Sequence, residues 1–136
     1  MKKEVFYRFI MFNNGLIIFL LINMFSCKND DIQRNPFLHE VSFNHSINLN
    51  LPEYNNLNFA GGSIYLPYGG INGIIVFNLN GNDIFAWEAS CSNHKLESCS
   101  KLSIEGLLAN CGCHDFKYSL ATGQLLEGDI NNSLQY

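Results

Sequence analysis

Positive charge is scarce in this chain: Lys and Arg number eight among 136 residues, and apart from Lys2-Lys3 no two are adjacent. From residue 27 onward five basic residues stand against eleven acidic ones, a formal charge of −6. A surface of that sign is repelled by phosphate backbones, which argues against nucleic acid as a partner. Helical periodicity is nearly absent after residue 26, and prolines number only three. The longest apolar run, 15–25, carries an Asn and falls short of the ~20 residues that a spanning helix needs, so a permanent transmembrane anchor is not expected. No nucleophile–base pair, phosphate loop or carboxylate dyad stands out either, so catalysis of those kinds is not legible.

What the chain does have begins with an export signal. Lys2, Lys3 and Arg8 precede the apolar run, and residues 1–26 together read as a signal peptide to be set aside from the fold. The segment Asn23-Met24-Phe25-Ser26-Cys27 resembles a bacterial lipoprotein processing site. That resemblance implies lipidation of Cys27, attachment to a membrane through the lipid, and residence at the cell envelope on its periplasmic or outer-surface face. The other reading of Cys27 is an unpaired thiol near a terminus. Residues 27–37 are too polar to bury themselves and read as a tether, in which Asp30-Asp31 resembles a surface-export signal of some Bacteroidetes lipoproteins. The remaining 38–136 offer enough chain for one core.

That domain reads as all-β, because short apolar runs recur between Gly, Asn and Pro. Residues 41–51 alternate loosely, with Phe43, Ile47, Leu49 and Leu51 on one side, and stop at Pro52; residues 63–66 form a further run. Three hairpins follow, each with a Gly-containing turn. They pair 73–79 with 84–89, 102–104 with 107–109, and 116–120 with 124–126.

Between the first and third hairpins lie all the cysteines except Cys27. Cys91-Ser92-Asn93-His94 and Cys111-Gly112-Cys113-His114 each read Cys-x2-His, separated by sixteen residues. Taking Cys91, His94, Cys111 and His114 as metal ligands leaves Cys99 and Cys113 available for a disulfide in an oxidising compartment. The same set would suit a structural Cys2His2 zinc site. It would equally suit two structural disulfides in a metal-free surface binding module, with both histidines as loop residues. His39 and His45 have no ligands spaced around them and read as ordinary, and Trp87 reads as a core or site-shielding residue.

These two boxes resemble those of the Rieske [2Fe–2S] family, with the likeness running from about residue 63 to the C-terminus and strongest over 91–123. The resemblance implies an antiparallel β-sandwich carrying a small cluster-binding subdomain at about 90–123. It implies Cys91 and Cys111 on one iron, His94 and His114 on the other, a Cys99–Cys113 clamp between the loops, and Tyr118 as hydroxyl donor to a ligand sulfur. It further implies a one-electron carrier working with a redox protein partner, its potential within about −150 to +300 mV because imidazole replaces thiolate at one iron. Oxygenase activity is not expected, since no residues are left for a mononuclear-iron domain. Two departures carry expectations of their own. The family's first box has one residue between Cys and His, so the two here require a looped backbone. Asp115-Phe116 stands where Gly-Ser is usual, which points to the low end of that range. Finally, residues 133–136 read as the start of a closing strand, so the chain is expected to be truncated there or to close with an unusually short strand.

Overall fold

A computed structural model describes residues 34–128 and 132–136. The expected signal peptide, Cys27 and most of the tether lie outside them. From Arg34 to Tyr136 the chain forms one folded unit. Its described residues include seven strands: β1 (Ser63–Leu66), β2 (Ile74–Asn78), β3 (Ile84–Glu88), β4 (Leu102–Glu105), β5 (Leu108–Cys111), β6 (Lys117–Ser119) and β7 (Leu125–Glu127). All pairings are antiparallel, in a three-stranded sheet ordered β1-β2-β3 and a four-stranded sheet ordered β4-β5-β6-β7. The all-β reading holds, and each expected hairpin forms.

Strand β2 is buried on both faces, and its period of two divides the domain's apolar residues between two clusters. Ile75 and Phe77 join Trp87 and Ala89 against Leu102, Ala109 and Tyr118 of the other sheet. Ile74 and Val76 face the opposite way, against Leu66, Tyr54 and Leu57. The last two come from a 3₁₀ helix, Pro52–Asn58, whose first position suits proline because no backbone N–H is needed there. With three residues per turn, positions 54 and 57 fall on one side, and that side covers the outer face of β2. This helix is not expected from the sequence.

Residues 41–51 do not form the strand that their alternation suggests. Val41 and Phe43 are exposed, whereas Ile47 and Leu49 pack against the second cluster. The loose pattern served contact with one cluster and not sheet pairing. Residues 133–136 form no strand either. They are held by single backbone bonds, from Leu134 N–H to the Gly123 carbonyl (2.7 Å) and from Glu88 N–H to the Gln135 carbonyl (2.8 Å). Leu134 enters the main core, and Tyr136 lies 4.3 Å from Trp87 between ring centroids.

Trp87 anchors this region. Its indole N–H donates to the Leu120 carbonyl at 2.9 Å. Gly123 sits so close that a Cβ there would lie 2.7 Å from the indole ring, and its φ of +72° is one that other residues rarely adopt. The neighbouring Glu88 carboxylate is buried but fully partnered, accepting from the Ile71 and Asn72 N–H groups and the Ser90 hydroxyl. Those bonds tie the β1–β2 turn to the strand end that leads to Cys91. Among the described residues no helix is long and apolar enough to cross a membrane.

Candidate metal centre

Strand alternation delivers both free thiols to one place. Trp87, Ala89 and Cys91 are successive inward positions, buried to 1%, 0% and 0% exposure, and Ala109 and Cys111 are the inward positions of β5. Register does the rest, because Cys111 pairs with Leu102 while the Leu102 N–H donates to the Ala89 carbonyl at 2.8 Å. A bridge between Ser90 and Lys101 and the bond from Cys91 N–H to the Ser100 carbonyl (2.8 Å) continue that seam.

Two loops then carry the remaining candidates. The loop after Cys91 returns through Cys99, and the loop after Cys111 is closed by the bond from Cys111 N–H to the Phe116 carbonyl at 3.0 Å. A Cys99–Cys113 disulfide joins them, with Cα atoms 5.1 Å apart. Gly112 passes so near that a Cβ there would lie 2.7 Å from the Cys99 carbonyl oxygen, so any side chain would push the loops apart.

The Sγ atoms of Cys91 and Cys111 and a ring nitrogen of His94 all lie within 4.8 Å of one another, and both thiols are free. His94 Nε2 is 3.2 Å from Cys111 Sγ, and its Nδ1 is 2.6 Å from the Lys95 carbonyl. A carbonyl can only accept, so Nδ1 carries the proton and the Nε2 lone pair faces the sulfurs. Metal-bound histidines are generally oriented by a bond of this kind. This is how the two-residue spacing of the first box is accommodated: residues 92 and 93 turn, and the ring comes back to the thiols. His114 is exposed and outside that three-atom group. Its ring is 4.9 Å from that of His94, edge to face, and 5.3 Å from Phe116. Cys91, Cys111 and His94 are therefore brought together, whereas His114 adjoins only the His94 side of the group.

Two further residues belong to the site. Tyr118, fully buried, places its hydroxyl 3.3 Å from Cys91 Sγ. Asn93, 1% exposed, donates from Nδ2 to the Tyr118 hydroxyl oxygen at 2.9 Å and also bonds both backbone groups of Asn132. Asn93 is not singled out in the sequence reading. Its one visible signal was its position inside the lengthened first box. Burial pushes the Cys91 thiol up to about 12, reinforced by its hydrogen bond with Cys111 and opposed by the Tyr118 hydroxyl. Burial, then the contact with Cys91, also raises Tyr118 above its ordinary value. Asn35, placed by sequence in the tether, donates to the Ser92 carbonyl at 2.8 Å and so braces the same loop.

His39 lies elsewhere, and His45 meets the hydroxyls of Tyr54 (3.3 Å) and Tyr68 (3.0 Å). A buried pair of thiols with one oriented imidazole is a soft donor set that can hold a metal ion. Comparison with protein families, curated proteins and solved structures finds no match to this chain.

Proposed function

We propose that the domain is a Rieske-type [2Fe–2S] protein that carries single electrons at the cell envelope. The observation that carries the reading is the division of labour among four cysteines. Cys99 and Cys113 clamp two loops, while Cys91 and Cys111 stay free and buried beside the imidazole of His94, whose ring adjoins that of His114. The donor chemistry suits the group: two thiols for one iron and two imidazoles for the other. Two local hydroxyls suit it as well. Tyr118 is already at the Cys91 sulfur, and the buried Ser92 hydroxyl, between Cys91 and His94 in sequence, has no hydrogen-bond partner among the described residues.

A [2Fe–2S] group supplies a one-electron couple when bound. The chain's residues do the rest. Burial of the two sulfurs excludes water, the Lys95 carbonyl orients His94, and exposed His114 offers an edge at which a redox partner could approach and a proton could exchange. The lipid at Cys27 would hold the domain at a membrane, and the acidic charge gives a partner with a basic face the faster encounter.

A second reading rests on a specific observation. Three donors within 4.8 Å also suit one tetrahedral ion such as zinc, with His114 or a fourth group completing the shell. Iron and acid-labile sulfide analysis of anaerobically reconstituted mature protein, with EPR after dithionite reduction, separates the two. The expected result is two irons and two sulfides per chain and a Rieske signal that disappears in His114→Ala. Stoichiometric zinc with no sulfide selects the second reading and defeats the first, whether or not His114→Ala retains it.

A further inference from the structure

We propose that Asn93 is a positioning residue that aims the Tyr118 hydroxyl proton at the Cys91 sulfur and so raises the reduction potential of a group ligated by Cys91. The inference rests on the reading of Cys91 as a cluster ligand.

The Tyr118 hydroxyl has one proton to give. Asn93 Nδ2–H donates to its oxygen at 2.9 Å, so the proton must point elsewhere. Tyr118 is fully buried, which removes water as a competitor, and the sulfur of Cys91 is 3.3 Å away. That orientation holds only if the Asn93 carboxamide cannot flip. Its oxygen accepts the Asn132 N–H at 2.9 Å, and its nitrogen also donates to the Asn132 carbonyl at 3.2 Å. A flipped amide would set oxygen against carbonyl oxygen and NH2 against N–H. The backbone of Asn132 therefore decides which end of Asn93 meets Tyr118. A hydroxyl proton shared with a ligand sulfur withdraws electron density from it and favours the reduced state. The backbone of Asn132 thus reaches the site through the Asn93 side chain, supplied by the lengthened Cys-x2-His box.

The test is a redox titration of the reconstituted protein carrying Asn93→Ala, Asn93→Asp or Tyr118→Phe, and of each Asn93 variant combined with Tyr118→Phe. Asp keeps the size of Asn but cannot donate when ionised, and accepts the phenolic proton instead. Asn93→Ala should lower the potential, and should lower it much less when Tyr118→Phe is already present, whereas the charge of Asp adds a lowering that persists in both backgrounds. Equal shifts of Asn93→Ala in the two backgrounds, or none, overturn the proposal. The unaltered metal-free protein provides a second readout that does not depend on the variants folding. A slowly exchanging hydroxyl proton, assigned to Tyr118 by its nuclear Overhauser contacts with that ring, supports the contact, and exchange at the rate of a solvated phenol refutes it. Failure of the cluster reading looks different: the unaltered protein takes up no iron or sulfide, while the hydroxyl measurement, repeated in Asn93→Ala, still decides whether Asn93 holds the proton.

Discussion

The loops that follow Cys91 and Cys111 present the same pair of residue types and hold them differently. Cys111 ends β5 on its inward phase, and Cys91 follows β3 by three residues while keeping the inward phase of Trp87 and Ala89, so both sulfurs are set by the sheets. The histidines are placed by what surrounds them. His94 is half-buried and fixed through Nδ1 to the Lys95 carbonyl, in a loop braced by Asn35, Asn93 and Ser100. His114 is exposed, and the neighbours found for its ring are those of His94 and Phe116. One imidazole is held by a hydrogen bond, and among the described residues the other is held by ring contacts alone.

The disulfide is the strongest link between the two loops, and breaking it should have the largest effect. Cys99 and Cys113 are 14 residues apart, and closing a loop of that length restricts the unfolded chain by about 3 kcal/mol. Cys99→Ser with Cys113→Ser should lower the stability of the metal-free domain by about that amount in urea unfolding. Gly112→Ala comes next, at about 2 kcal/mol, because its Cβ would meet backbone and not a side chain that could move aside. The histidines then test the contrast directly. In the metal-free protein His94→Ala should cost about 1 kcal/mol, and exposed His114→Ala less than about 0.5 kcal/mol. Under the proposed function both abolish the EPR signal. Equal stability losses for the two would remove the distinction between the two imidazoles.

Most of the sheet was legible because its signals are local. Gly-containing turns mark the three hairpins, and the free and disulfide cysteines separate as the box pattern implied. Residues 41–51 misled because weak alternation also arises where a segment merely rests Ile47 and Leu49 on a core. The 3₁₀ helix was hidden because Tyr54 and Leu57 gain their meaning only from the outer face of β2, a tertiary fact. Asn93 was hidden for the same reason, since its partners, Tyr118 and Asn132, lie 25 and 39 residues away. By contrast, the inward phase running from Trp87 through Ala89 to Cys91 could have been read from the chain, and it alone foretells a buried sulfur.

A further expected effect appears at alkaline pH, and it bears on the better-supported loop. Tyr118, behind Cys91, has its hydroxyl raised by burial, and Tyr54, under β2, is raised first by its hydrogen bond with Tyr68. When the folded state holds an acid above its unfolded value, the unfolded chain loses that proton first as pH rises. Each tyrosine therefore contributes no pH dependence below about pH 10 and an increasing loss of stability above it. Cys91, held up to about 12, adds a loss of the same sign that begins lower, near about pH 8.5. Urea midpoints of the metal-free domain should thus fall between about pH 9 and about pH 11, and fall less steeply in Tyr118→Phe. Tyr54→Phe should flatten the slope less, because Tyr68 and His45, its hydrogen-bond partners, are exposed to solvent. A midpoint that stays level across this range would mean that neither phenol is held neutral by the fold, and that Tyr118 is not the closed partner of the Cys91 sulfur.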